Sequence, residues 1–400
     1  MKRYDIKVSI LPNYFLKEDG TYNKDEAIKL SGQIAGICYD KEGYDHLKNE
    51  PEEKTMRRVN MTINNGHHSV YDHLEINFYF ENVPKILAMV LNNEKEYTTS
   101  EKSARYTPVE RVEGSIITEK EVLLYNKWKE IFKEKIAERY SNIFNANKID
   151  KLAQENARYL VTVFMPTKMV YTTSLRQINY IASWMQDYIK NADPKDPFEA
   201  KLAESMYEFI EQLYKVNVLD ERLMHNEKHR SISLFGKDLY KIPEYFGYVY
   251  TTKYLGSYAQ LAQAHRHRTL DYKMERQDDK TYFVPPIIEN NDQLTELWLE
   301  DMESVSDVTP QGENVLISES GVYDDFILKL KERLCSAAQL EINDRSNATL
   351  HKYYEALKKQ DLYLAEDMEK YLHGARCTFP DFNCTQKCGF SEGIQLKRKI

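Results

Sequence analysis

The chain lacks the features that mark several whole classes of protein. No uncharged apolar run approaches the roughly 18 residues that a membrane-spanning helix needs, and the opening stretch MKRYDIKVSILPNYFLKEDG has no signal-peptide apolar core. The expectation is a soluble, cytoplasmic protein without a membrane partner. Positive charge is not in excess either: the formal net charge is −8, which disfavours a protein that coats nucleic acid. Any anion it binds must meet a local basic pocket. Gly/Ser-rich linkers and low-complexity tracts are absent, so composition alone draws no domain boundary. Cysteine is scarce and uneven. Cys38 and Cys335 stand alone in helical patterns, whereas Cys377, Cys384 and Cys388 crowd the tail. In a reducing compartment such a cluster points to metal before disulfide, and with His373 it offers four soft ligands for a tetrahedral zinc.

What the chain does contain, it says twice. In DHLEINFYFEN the apolar residues Leu74, Ile76, Phe78 and Phe80 alternate, the period of a strand with one buried face. A helix follows, with Asn82 as cap, Pro84 in its first turn and Ile86, Leu87, Val90 and Leu91 as its stripe. Then comes NNEKEYTTSEKSARY, in which Thr98 and Glu101 have the spacing of a capping box. Farther on, YFGYVYTT reads as a strand, Tyr254, Leu255, Tyr258, Leu261 and Ala262 step at helical spacing, and HRHRTLDYKM follows. Each copy ends in a longer amphipathic helix, expected over residues 169–189 and 322–342, the second with the stripe Ile327, Leu330, Leu334 and Ala337. Residues 278–303 read as a long connection. A seam near 217–227 then divides the chain into a first lobe at 1–217, a second at 218–372 and a Cys-rich tail at 373–400.

The residues at these positions resemble the flavin-dependent thymidylate synthases, whose signature is Arg-His-Arg, seven residues, Ser, and an Arg-Tyr pair beginning two positions later. The first half has Ser103, Arg105 and Tyr106, with Glu101 before them, but Asn93-Glu94-Lys95 in place of Arg-His-Arg. The second half has Arg266-His267-Arg268, preceded by Gln263, but Arg276, Asp278 and Asp279 in place of Ser, Arg and Tyr. The family's later pattern is divided in the same way. Ala157-Arg158 and Ser174-Leu175-Arg176 fit in the first half, where Met185 occupies the final arginine position; Arg333 and Ala338-Gln339-Leu340-Glu341-Ile342 fit in the second. Tyr71-Asp72-His73 resembles a further upstream element.

The resemblance implies an α+β protein of two tandem lobes, each a sheet flanked by long helices, plus the short tail, with chains pairing as a homodimer of four lobes. It implies an active site shared between the lobes that converts dUMP to dTMP, with methylenetetrahydrofolate as one-carbon donor and FAD recharged by NADPH. By the same resemblance Glu101, Ser103, Arg105, Arg158, Gln263 and Arg266 hold the nucleotide, and Arg333 steadies negative charge on the uracil. His73, Arg176, His267 and Arg268 meet the flavin. Arginine suits such a ligand because its planar fork makes bidentate, charge-assisted hydrogen bonds to phosphate. Two rival readings stand beside this one: a related one-carbon transfer such as pyrimidine nucleotide hydroxymethylation, and a catalytically silent nucleotide-binding homologue. Residue by residue, ordinary roles compete as well, such as basic residues at a helix C-terminus or a snorkelling arginine beside an apolar stripe.

Overall fold

The computed structural model describes residues 4–103, 105, 108–109, 116–225, 230–360 and 362–400. Its strands are β1 (Lys7–Ile10), β2 (Glu75–Pro84), β3 (Thr98–Glu101), β4 (Pro166–Ser174), β5 (Tyr245–Phe246), β6 (Val249–Ser257), β7 (Asp271–Glu275) and β8 (Asn314–Val322). The helices that position the regions below are α1 (Lys85–Leu91), α2 (Glu119–Tyr140), α3 (Ala146–Ala157), α4 (Leu175–Asn191), α5 (Tyr258–Ala264), α6 (Asp292–Glu303), α7 (Tyr323–Arg333) and α8 (Leu340–Gln360). Among the described residues no helix is long and apolar enough to cross a membrane.

The chain divides into two compact units that are not consecutive in sequence. Unit 1 comprises residues 1–102 and 164–232, and unit 2 comprises 103–163 and 233–400. The lobes expected from sequence run straight along the chain, but residues 103–163 cluster with the back half. The reason is local: the Val163 amide donates to Thr309 O at 2.9 Å, and Trp128 of α2 meets Trp298 of α6 edge to face at 4.8 Å. Both indoles are buried and both N–H groups are satisfied, by Asp301 and by the Phe283 carbonyl. Such a pair adds about 0.5–1.5 kcal/mol beyond its buried area. The tail at 373–400 is likewise part of unit 2 rather than a separate segment.

Each unit is built on a four-stranded antiparallel sheet, ordered β1-β2-β4-β3 in unit 1 and β5-β6-β8-β7 in unit 2. Ile76, Phe78 and Phe80 point inward as their alternation requires, and Phe80 stacks on Tyr171 at 5.8 Å. In unit 2, Tyr250 and Phe326 pack against Tyr353.

Several local expectations change. Residues 169–174 belong to β4, and the helix starts at Leu175 with Ser174 as its cap. Tyr254 and Leu255 lie in β6. Asn82 has a left-handed backbone and donates to Asp5 O instead of capping α1, whose residues from Ile86 to Leu91 are all buried rather than striped. Thr98 and Glu101 are strand residues; the capping box is Thr118 with Glu121. Residues 278–303 contain α6. The helix expected over 322–342 is broken. Residues 314–322 form β8, α7 stops at Arg333, and α8 begins at Leu340. Asn343 Nδ2 takes the freed Arg333 carbonyl at 2.8 Å, which satisfies an orphan of the helix end.

Candidate functional site

Because residues 103–163 fold with the back half, unit 2 gathers most of the basic residues singled out above. Arg158 follows α3, Gln263 lies on α5, Arg266, His267 and Arg268 occupy the turn between α5 and β7, and Arg333 ends α7. Ser103 and Arg105 belong to the same unit. Tyr106 lies outside the described residues.

Arg105, Arg158 and Arg398 share the field of one internal carboxylate, Glu155. Arg105 Nε donates to Glu155 Oε2 at 2.6 Å, and its Nη2 donates to the Ala337 carbonyl at 3.1 Å. Arg158 is only 4% exposed, yet its Nε and Nη1 find no hydrogen-bond partner among the described residues. Burial pushes its guanidinium pKa down; Glu155 counters this, and Arg105 adds to it. Arg333 is lowered likewise by burial, with Glu332 opposing and with Arg266 and Arg105 within electrostatic reach. Stranding a cation from water without a full set of acceptors costs several kcal/mol. An anion placed there would supply the missing acceptors.

Two members of the cluster carry no motif. Arg398, buried at 5%, donates from Nη2 to Ala338 O at 2.7 Å, beside the carbonyl that Arg105 holds. Lys148 is depressed by burial, offset by Glu155 and reinforced by Arg105 and Arg398. Arg398 stands far along the chain, and neither residue belongs to a recognisable pattern, so no signal in the sequence singles them out.

The loop between α7 and α8 is braced from below. Gln339 Nε2 donates to Tyr159 Oη at 2.7 Å, while its Oε1 is buried without a partner. Glu341, 1% exposed, accepts from the Ser257 amide, from Ser257 Oγ and from Tyr159 Oη. Glu341 is thus an anchor between the end of β6 and the start of α8.

His267 is not a surface cation. It is 5% exposed, and its Nε2 accepts from Arg333 Nε at 2.5 Å. Burial, then Arg333 and Lys329, bring its pKa down to about 2, so the ring is neutral and its 3.5 Å approach to Glu332 is not an ion pair. Beneath it Lys329 and Glu319 form a wholly buried pair at 2.6 Å, with Tyr250 and Tyr254 also donating to Glu319. Arg266 and Arg268 are exposed.

Unit 1 holds the remaining candidates in a different setting. Glu101 ends β3 with its carboxylate on Lys85 at 2.5 Å. His73 is exposed. Arg176 donates to Asp72 at 2.6 Å and leaves Nε without a partner. A cavity of about 550 Å³ lies there, but Asp72, Glu75 and Glu96 outnumber Lys95 and Arg176 on its lining. Those residues do not fit a flavin diphosphate.

The zinc expectation changes too. Among the described residues no group of three or more His, Cys, Asp or Glu is arranged to hold a metal ion, and His373 is not on the cavity that Cys377, Cys384 and Cys388 line. Their chain separation fixed only that they are neighbours; which fourth side chain joins them depends on tertiary packing.

Fold and site together define an α+β protein whose unit 2 holds a buried cluster of cationic side chains. Residues 21–189 match the family described as thymidylate synthase complementing protein. The flavin-dependent thymidylate synthase of Thermococcus onnurineus is 26% identical over 148 residues, which covers 36% of this chain and 57% of that protein. Its counterpart in Clostridium tetani is 27% identical over 166 residues, covering 38% and 66%. The chain spans between about half and two thirds of the length of these relatives. A solved UMP/dUMP methylase from Streptomyces cacaoi aligns at 14% identity over 56% of this chain and 94% of its own, with a TM-score of 0.34, too loose to transfer geometry. The chain resembles the flavin-dependent thymidylate synthases, and residues 21–189 carry the family match.

Proposed function

We propose that unit 2 binds the monophosphate of dUMP and that the chain carries out its reductive methylation to dTMP. The observation that carries this reading is Arg158, a buried guanidinium with two unpartnered donor atoms in a cluster with Arg105 and Arg333. A phosphate supplies the missing acceptors, each charge-assisted hydrogen bond contributing about 1.5–3 kcal/mol. Arg158 and Arg105 hold the phosphate, with Arg398 and Lys148 adding to the positive field. Arg333, held in place by neutral His267, stabilises negative charge on the pyrimidine as its C5 becomes nucleophilic.

The relatives' names bring a flavin into the proposal, and the sequence resemblance adds methylenetetrahydrofolate as one-carbon donor and NADPH as reductant. Arg266 and Arg268, the exposed cations of unit 2's turn, are the candidates to meet its phosphates. The shared strand order of the two sheets supports a tandem duplication in which the front copy gave up its own cation triplet. The division of labour is between the two halves of the sequence, since Ser103, Arg105 and Arg158 come from the front half and Arg266 and Arg333 from the back.

The test combines colour with labelled substrate. The reading expects yellow protein, or colourless protein that takes up added FAD, and release of tritium from [5-³H]dUMP in the presence of methylenetetrahydrofolate and NADPH. Protein that binds dUMP but never FAD, and releases no tritium, supports the silent nucleotide-binding homologue instead.

A further inference from the structure

The crowded cysteines belong to no part of the reading above. Cys335 lies two residues beyond the end of α7, Cys377 lies in the short turn Arg376–Thr378, and Cys384 and Cys388 sit in the irregular segment beyond it. The fold brings all four onto the lining of one cavity of about 600 Å³, and none is in a disulfide. That convergence is built by backbone. Arg376 N donates to Leu334 O at 2.5 Å, Arg376 Nη1 donates to Lys331 O at 3.0 Å, and Ser336 Oγ reaches Cys388 Sγ at 3.2 Å. Gly374 takes a left-handed φ of +136°, where a Cβ would meet the Ile394 carbonyl at 2.5 Å, so this turn of the tail is fixed by glycine.

One ion is a poor match for such a wall. Tetrahedral zinc, with Zn–S bonds of about 2.3 Å, draws its four sulfurs to roughly 3.8 Å from one another. Among the described residues no three ligands are gathered in that way. A cluster of irons and bridging sulfides takes four thiolates around a wider cage, one per iron in [4Fe–4S] and two per iron in [2Fe–2S], and cysteine is its characteristic ligand. Four thiols lining one cavity supply the number and kind of ligands that such a cage takes.

We infer that Cys335, Cys377, Cys384 and Cys388 ligate a polynuclear iron–sulfur cluster in unit 2, with Cys335 in the position that sequence spacing assigns to His373. Each thiol gives up its proton on ligation, so the cluster assembles more readily as pH rises. Its mechanical consequence is specific. The cluster ties the tail to the loop whose Ala337 and Ala338 carbonyls are held by Arg105 and Arg398. The site stands or falls independently of the nucleotide chemistry proposed above.

The experiment uses the full chain, purified without oxygen and, in parallel, reconstituted with ferrous iron and sulfide under thiol reductant. Iron and acid-labile sulfide are measured together with the visible spectrum after any flavin has been released. The expected result is roughly two to four irons per chain with matching sulfide, corresponding to a [2Fe–2S] or [4Fe–4S] centre. Cys384→Ser should lose at least nine tenths of the iron, whereas His373→Ala and Cys38→Ser should keep it. Less than a tenth of an equivalent of iron in folded wild-type protein overturns the inference. So does a single equivalent of zinc bound in place of iron and sulfide, which would mark a one-ion site.

Discussion

The turn at residues 92–97 of unit 1 and the turn at 265–270 of unit 2 stand at the same step of their sheets. Each joins a seven-residue helix, α1 or α5, to an edge strand, β3 or β7. Their contents are opposite. In unit 2 the turn carries His267, buried and neutral, accepting from Arg333, with Arg266 and Arg268 facing water. In unit 1 it carries Glu94, wholly buried, whose carboxylate takes Arg230 at 2.6 Å while that guanidinium lies 3.9 Å over the Trp184 ring. Where unit 2 has Arg333, the matching position in unit 1 is Met185, which is 0% exposed. Unit 1 meets its buried charge with a partner from its own chain, while unit 2 leaves Arg158 in need of acceptors. The unit 1 turn buries an ion pair, whereas the unit 2 turn buries a neutral imidazole held by an arginine.

The comparison can be broken most forcefully at Arg333. Arg333→Ala should lower tritium release from [5-³H]dUMP by about 10²–10³-fold, the usual loss when a charge-stabilising donor is removed, while any bound flavin remains. Release within a few fold of wild type would mean that Arg333 does not face the reacting base. In unit 1, Glu94→Gln should lower the unfolding free energy by about 1–2 kcal/mol, because Arg230 is only half-buried and loses a charge-assisted bond. Urea titration measures this, and dUMP affinity should be untouched.

A third prediction concerns pH and again separates the turns. An unfolded histidine titrates near 6.5, but folded His267 is held down at about 2. Below pH 6.5 the unfolded chain takes up a proton that the folded chain refuses. Stability present above 6.5 is therefore lost as pH falls, by at most about 1.4 kcal/mol per pH unit. His267→Gln should flatten the unfolding curve between pH 6.5 and 5 relative to wild type; parallel curves would show that the imidazole is not held neutral. The smallest effect belongs to Lys95, the unit 1 counterpart of Arg268: Lys95→Ala should leave dUMP affinity within about twofold of wild type.

The sequence made the elements legible where a single period ran uninterrupted. Ile76, Phe78 and Phe80 gave β2, and the basic turn after α5 stood out because four ring or guanidinium side chains follow an apolar helix. Periodicity failed at 334–339, since Leu334 and Ala337 keep the helical spacing although Asn343, Arg105 and Arg398 take the backbone carbonyls of the broken stretch. The assignment of residues 103–163 to unit 2 was equally hidden. It depends on Trp128 meeting Trp298 and on Val163 pairing with Thr309, contacts between positions far apart in sequence. Motif register singled out Arg105, Arg158 and Arg333, which the fold gathers in unit 2. It missed Arg398 and Lys148, which only tertiary packing brings there, and it did not show that burial holds His267 neutral.

The most direct measurement is calorimetric titration of dUMP and of deoxyuridine into wild-type protein and Arg158→Gln. With Arg158 as a phosphate acceptor's missing partner, the substitution should weaken dUMP binding by about 10- to 100-fold, equivalent to one or two charge-assisted hydrogen bonds, and leave the far weaker binding of deoxyuridine unchanged. Equal dUMP affinity in the two proteins would contradict the account.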